Sequence, residues 1–219
     1  MTPPTLITVE GPDGCGKSTV VPLLVRVLSE TTGEAWTHIA DPTPGPTTDI
    51  IRKILSFGRH SGIKALFYLF MAERILDFPD EVEAPLLVSD RGLLSTWVYQ
   101  HELCEDPRRR EIVRLALEQE TLLRRPAVTT VLLPPVEVCV KRAAQRQVRH
   151  LETFDKAEII RRTWGLYHRA AFDSSTPSCV TGVVLPIRLR GTESPEYVAG
   201  CILGALYHHE ILPSRLKTT

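Results

Sequence analysis

The segment Gly11-Pro-Asp-Gly-Cys-Gly16-Lys17-Ser18 has the spacing GxxxxGK[ST]. Between a strand and a helix, that spacing wraps main-chain N–H groups around a phosphate. Both flanks fit, because the apolar run Leu6–Val9 comes directly before it and a helical pattern begins at Ser18. Gly11, Gly14 and Gly16 let the backbone curl so that its N–H groups converge. Lys17, Ser18 and Thr19 open the helix, whose unsatisfied N–H groups and dipole favour an anion. Lys17 adds a mobile positive charge for the β- and γ-phosphates, and the Ser18 hydroxyl is a ligand for Mg²⁺. Cys15 sits at a free loop position and reads as a small filler rather than a redox group. The predicted nucleotide set is Gly11, Asp13, Gly14, Cys15, Gly16, Lys17, Ser18 and Thr19, with ATP and Mg²⁺ as cofactors.

Two further groups fit the same chemistry. Asp90 ends the apolar run Leu86-Leu-Val-Ser, where a carboxylate can organise Mg²⁺ and its waters. Taken alone it reads as an acid capping a turn, and it is the pairing with the glycine loop that favours the metal. Lys141, Arg142, Arg146 and Arg149 lie on or just after one predicted helix, and Arg142 and Arg146, four apart, share a face. They read as a lid, roughly 142–156, whose charge offsets that on a transferred phosphoryl group, or as a solvated basic face. The chain has no asparagine and so no NKxD element for reading guanine. Its 219 residues leave no room for an appended motor.

The elements that must hold these groups are five short apolar runs rich in β-branched residues: Leu6–Val9, Trp36–Ala40, Leu86–Ser89, Val128–Leu133 and Val183–Leu189. Helical periodicity lies between them, over Ser18–Leu28, Ile63–Phe78, Ile112–Leu123 and Val136–Val148. Alternation of this kind predicts a parallel sheet covered on both faces, with every post-strand loop at one edge. Asp41-Pro-Thr-Pro-Gly-Pro46 reads as a rigid loop, and Asp106-Pro-Arg-Arg-Arg110 as an exposed break between helices. The expected architecture is one α/β domain over residues 1–219, three-layered, with a five-stranded parallel sheet flanked by helices and a helical lid.

Composition narrows the class. Lys+Arg and Asp+Glu are equal at 26 each, which removes the bulk electrostatic case for a nucleic-acid or membrane-surface partner. The apolar stretches Ala65–Ala72 and Ala199–Tyr207 are too short to span a bilayer. No secretory signal is expected. Five scattered cysteines without a CxxC pair predict a reducing compartment, with no disulfides and no zinc site. A soluble cytoplasmic protein acting on small molecules is the expectation.

Several segments beyond the glycine loop resemble the thymidylate kinase family of P-loop nucleoside monophosphate kinases. Ile7-Thr-Val-Glu-Gly-Pro-Asp-Gly-Cys-Gly-Lys-Ser18 is similar to its P-loop, including the acid at Asp13. Asp41-Pro42 with Ile51-Arg52, Phe70-Met-Ala-Glu-Arg74, and Asp90-Arg-Gly-Leu-Leu-Ser-Thr-Trp-Val-Tyr-Gln100 resemble its acceptor-site motifs. Arg125-Pro126, then Lys141-Arg142 and Arg146, resemble its approach to the lid. The resemblance implies transfer of the ATP γ-phosphoryl group to dTMP. The acceptor site would draw on Asp13, Asp41, Arg52, Phe70, Arg74, Arg91, Ser95, Thr96, Tyr99 and Gln100. In it Phe70 stacks on the base, Arg74 donates to O4, and Thr96 meets the N3 edge. Tyr99 crowds C2′, Asp13 accepts from the 3′-hydroxyl, and Arg91 grips the acceptor phosphate. The catalytic set so implied is Lys17, Asp90, Arg91, Arg142, Arg146 and Arg149, with Ser18 and Asp90 on the metal. A homodimer through the apolar helix Ile63–Phe78 and an adenine near Gly191-Thr192 are also implied.

The chain departs from the family's pattern at Ala40, where arginine is frequent, at Thr43 and Pro44 for two glycines, at Gly92 for an aromatic residue, and at Leu133 for an acid. Arg149-His-Leu-Glu152 shifts the lid arginine. These changes keep two alternatives open: a 5-substituted dUMP as acceptor, or a nucleotide-binding regulatory protein without phosphotransfer.

Overall fold

The computed structural model describes residues 6–57, 60–77, 86–146, 156–173 and 175–212. Five strands form one fully parallel sheet in the order β2-β3-β1-β4-β5: β1 (Leu6–Glu10), β2 (Trp36–Ala40), β3 (Leu86–Asp90), β4 (Val128–Leu133) and β5 (Val183–Arg188). Every residue of β1 and β4 is buried, as central strands covered on both faces require. The edge strands β2 and β5 instead expose residues such as Thr37, His38 and Val183. Alternation within β4 splits the core. Val128 and Leu132 join one apolar cluster with Val21, Leu24, Ala199 and Ile202. Val131 and Leu133 join the other, with Phe67, Trp97, Leu117 and Tyr167.

Helices cover both faces: α1 (Lys17–Thr32), α2 (Pro46–Phe57), α3 (His60–Asp77), α4 (Leu93–Thr96), α5 (Pro107–Gln119), α6 (Val136–Arg146), α7 (Ala157–Phe172), the short α8 (Ser178–Thr181) and α9 (Pro195–His208). A π-helical turn over Trp97–Glu102 continues α4. The strands expected from sequence all form, and so do the four helices, with shifted ends.

The run at 106–110 is not a break. Asp106 caps α5 by accepting from the Arg108 N–H at 3.0 Å, and Pro107 occupies the first turn. Proline there loses no hydrogen bond, because the first N–H groups of a helix are unpaired in any case. The arginines at 108–110 therefore belong to that first turn, and α5 ends at Gln119, short of Leu123. Pro46 likewise opens α2 instead of ending a loop. Phe78 and Val148, at the ends of two expected helices, lie outside the described residues.

Register brings the strand ends together. Ala40 and Val9 both stand beside Asp90, so the loops after β1, β2 and β3 emerge at one edge. Sequence order runs from β1 out to β2 and β3, then across to β4, which makes that edge the topological switch point where ligands bind in open α/β sheets. Among the described residues no helix is long and apolar enough to cross a membrane.

His101 faces inward from the π-turn, its ring 3.8 Å from that of Trp97 and nearly parallel to it. Burial pushes its pKa below the usual 6.5, although Glu102 at 3.1 Å acts in the opposite sense. The neutral ring is thus the form that the fold favours. Its contribution to stability is complete above pH 6.5 and lost as pH falls through the depressed folded value. Denaturant midpoints at pH 7.5 and 5 should fall further for the wild type than for His101→Gln.

Candidate active site

The glycine loop is fixed from below by close packing. Gly14 has φ +81°, and a Cβ there would stand 2.2 Å from the Cys139 carbonyl oxygen. At Gly11, φ +143°, a Cβ would meet the Leu132 carbonyl at 2.7 Å. No side chain fits at either place, so the loop lies flush on β4 and α6. Cys139 beneath it is buried, which raises its thiol pKa to about 12, and it stays protonated. The Lys17 ammonium donates to the carbonyls of Gly11 (2.7 Å) and Pro12 (3.0 Å) and to Cys15 Sγ (3.6 Å). These acceptors are neutral, and an anionic phosphate oxygen makes a stronger bond to an ammonium than any of them. Ser18 and Thr19 stand exposed at the mouth of the loop.

Asp90 and Arg91 face this loop from the end of β3. Arg91 holds φ +86°, a left-handed conformation that a non-glycine residue adopts only where its surroundings enforce it. Its N–H donates to the Val9 carbonyl at 3.1 Å. Its guanidinium donates to the Asp13 carboxylate and to Ser95 Oγ (3.1 Å), and lies 5.7 Å from the Tyr99 ring centre. The Tyr99 hydroxyl donates to the other Asp13 oxygen at 2.8 Å. Burial disfavours the Arg91 charge, but Asp13 together with Tyr99, Tyr167 and Glu10 outweighs it and the guanidinium is held charged.

A cleft of about 170 Å³ opens beside these groups. Phe70 lies in its wall, with Pro42 and Leu55 as further apolar surface, and Thr96 and Gln100 supply polar groups. Asp13, Asp41 and Arg91 line this cleft, and they also line the smaller concavity of Lys17, Ser18 and Asp90. One arginine and two acids therefore form the common wall between two adjoining recesses.

Arg74 is more constrained than the sequence suggests. It is only 5% exposed, and its guanidinium clasps Asp41 through two donors (2.7 and 3.2 Å), Thr96 Oγ1 (2.6 Å) and the Gly92 carbonyl (3.1 Å). Glu73 beside it accepts from the Thr43 N–H. Helix α3 thus grips the loop after β2 by two consecutive residues, and Arg74 still lines the cleft, 5.7 Å from the Phe70 ring centre.

The remaining nominated residues divide. Arg142 reaches over the loop from α6, donating to the Gly191 carbonyl at 2.9 Å, and with Thr19, Cys15 and Gly191 it lines a third recess. Arg52 is exposed on α2 and is not part of the cleft lining, whereas Leu55, three residues on, is. Arg146 ends α6. Arg149, Glu152 and most of the expected lid lie outside the described residues.

Sequence reasoning overlooked Glu10, Leu55, Glu73 and Tyr167. Glu10 had a signal, an acid closing an otherwise apolar strand. Tyr167 had none beyond helical spacing.

For a metal, the hard oxygen donors Ser18 and Asp90 share the concavity with Asp13 and Asp41. No group of three or more acidic, His or Cys residues among those described forms a closed metal cage. That suits Mg²⁺, which keeps several waters and takes its other ligands from phosphates. The residues present fit the ion.

A sequence profile described as thymidylate kinase matches residues 9–181, from the end of β1 through α8. The chain belongs to the thymidylate kinase family. It is similar to a thymidylate kinase of a Bradyrhizobium species, 32% identical over 186 residues, which cover 80% of each chain. It is also similar to that of Desulfotalea psychrophila, 27% identical over 175 residues, 78% of this chain and 83% of the relative. A probable thymidylate kinase of Caldivirga maquilingensis is 26% identical over 178 residues, 78% and 82% of the two chains. The matched span holds the glycine loop, the Asp41 loop, α3 and the segment at 90–100. Arg74 and Phe70, one turn apart on α3, differ in how much of the fold rests on them. Arg74→Ala leaves the buried Asp41 carboxylate unpaired, a change that typically costs about 3–5 kcal/mol. Phe70→Ala, at a half-buried cleft wall, should cost far less. Equilibrium denaturation of the two variants distinguishes these roles.

Proposed function

We propose that this protein is an ATP-dependent kinase that transfers the γ-phosphoryl group to dTMP, giving ADP and dTDP. The observation that carries the proposal is the common wall of Asp13, Asp41 and Arg91 between the glycine-loop concavity and the Phe70 cleft. A nucleotide whose base enters the cleft presents its monophosphate at Arg91. A triphosphate in the glycine loop presents its γ-phosphorus from the other side. An acceptor phosphate oxygen then bonds to γ-phosphorus as the bond to the β–γ bridging oxygen breaks, and ADP leaves with that electron pair. Holding both reactants in line supplies most of the acceleration, since the protein forms no covalent bond.

In this reading Phe70 stacks on the pyrimidine, and a remaining Arg74 donor faces O4. Thr96, whose oxygen already accepts from Arg74, meets the N3 edge. Tyr99, tied to Asp13, occupies the space beside C2′, and Asp13 meets the 3′-hydroxyl. Lys17 and the loop N–H groups hold the β- and γ-phosphates. Arg142 approaches from α6, with Arg146 and Arg149 joining it. Ser18 and Asp90 hold Mg²⁺, which when bound neutralises phosphate charge. The third recess, beside Gly191, receives the adenosine. The five cysteines are all free thiols, which suits a reducing cytoplasm.

We further propose a homodimer through α3. Tyr68 and Leu76 are 60% and 69% exposed, and with exposed Ala72 between them they form an apolar stripe at four-residue spacing. Sedimentation velocity should show a dimer that Tyr68→Arg with Leu76→Arg converts to monomer, and an unchanged dimer refutes the face.

The activity is tested by coupled ADP release over a panel of nucleoside monophosphates. Acceptor-dependent release should be fastest with dTMP, and its absence with every monophosphate refutes the kinase. Arg91→Ala should lower turnover at least 10²-fold while ATP binding persists. Phe70→Ala should raise the dTMP KM roughly 5- to 100-fold, the range for loss of one base–aromatic stack.

A further inference from the structure

Glu10 closes β1 one residue before the glycine loop, is completely buried, and has no task in the reaction described above. A buried carboxylate is costly unless its oxygens are answered by donors. Three donors answer this one: the Ser95 N–H (3.0 Å), the Ser95 hydroxyl (2.7 Å) and the Tyr167 hydroxyl (3.2 Å). In each bond Glu10 accepts, the role of an ionised carboxylate.

The direction of these bonds has a consequence one step further out. Ser95 has a single hydroxyl hydrogen. With that hydrogen given to Glu10, its lone pairs face outward, and one receives the Arg91 guanidinium at 3.1 Å. Without Glu10 the hydroxyl is free to turn its hydrogen toward Arg91, where it repels the donor instead of receiving it. The Tyr167 hydroxyl lies 2.9 Å from Ser95 Oγ and 3.2 Å from Glu10 Oε2, and its one hydrogen is shared between these two acceptors, which binds α7 into the same cluster. Burial raises the Glu10 pKa above the usual carboxylate value, and the Ser95 hydrogen bonds and the charges of Arg91 and Lys17 act in the opposite sense. Packing also reserves this space. A Cβ at Gly92 would approach Thr8 Cγ2 to 2.7 Å and would make ordinary contact with Glu10 Oε1 at 3.7 Å.

We propose that Glu10 is a positioning residue for phosphoryl transfer: through Ser95 it aims the Arg91 guanidinium at the acceptor phosphate, and through Tyr167 it anchors that arginine to α7. The left-handed backbone of Arg91 requires enforcement from outside the residue, and this cluster supplies it at the side-chain end. The inference rests on the kinase reading and on Arg91 as the residue that meets the acceptor.

The test uses the full-length protein with dTMP and ATP in the coupled assay. Glu10→Gln keeps the volume but places an amide donor against the two hydroxyls. It should lower kcat/KM for dTMP by about 10²-fold, the scale of an ångström of misplacement, while the KM for ATP stays within about twofold. Ser95→Ala should give a similar loss. The double variant should be no worse than the worse single one, because both cut the same link. Tyr167→Phe, which removes only a hydroxyl, should lower kcat/KM for dTMP several-fold with the melting temperature nearly kept, and it carries the test if Glu10→Gln does not fold. Wild-type dTMP kinetics in Glu10→Gln, an equal loss toward ATP, or multiplying losses in the double variant overturn the role. So does an unaltered Tyr167→Phe where it alone is measurable. A wild-type protein inert toward every monophosphate refutes instead the kinase reading on which the role depends.

Discussion

Charge withdrawn from water has to be met by opposite charge or by directed hydrogen bonds, and the loop edge of this sheet concentrates that demand. Glu10, Lys17, Arg74 and the Asp41 carboxylate are buried there, with Asp13 and Arg91 half-buried beside them. Asp41 answers Arg74 and Asp13 answers Arg91. Lys17 is answered by loop carbonyls, and Glu10 by hydroxyls and a backbone N–H. Neither partner of such a pair can be removed cheaply, because the other remains stranded in a medium that solvates it poorly. The same pairing orders the side chains in advance, as recognition of a highly charged ligand requires.

The apolar core makes this arrangement possible by fixing the backbone beneath it. β1 and β4 are buried throughout, and the clusters on the two faces hold α1 and α9 on one side and the π-turn and α7 on the other. The glycine loop has no freedom of its own, since Gly11 and Gly14 pack directly against the backbone of Leu132 and Cys139. A helix with one residue extra per turn advances its side chains differently from an α-helix. At 97–102 that turn sends Trp97 and Val98 into the core while Tyr99 and Gln100 line the cleft.

Two departures from the family pattern acquire physical meaning in this setting. Gly92 leaves room for the Thr8 side chain, whose Cγ2 would stand 2.7 Å from a Cβ there. Thr43 stands where glycine is common, and its N–H is held by Glu73 while its hydroxyl donates to the Ala40 carbonyl at 3.1 Å. The loop after β2 is thereby secured from α3. Ala40 itself lines the glycine-loop concavity, and nothing in the structure supplies a cation from that position.

Much of this was written in local pattern. The β-branched runs specified the strands because central strands of a parallel sheet are apolar on both faces, and glycine spacing specified the tight loop after β1 because only glycine permits its backbone. Phe70, Arg74 and the 90–100 segment marked the cleft through their family spacing. Local pattern misled at 106–110 and at Pro46, where proline and charge read as interruption but serve as helix starts. Pairing was not legible at all. That Arg74 spends its donors on Asp41, 33 residues away, and that Glu10 reaches Tyr167 across 157 residues, depends on which strand ends the sheet order brings side by side. Spacing along a chain carries no record of such proximity, and in a low-dielectric interior proximity is what decides where charge can stand.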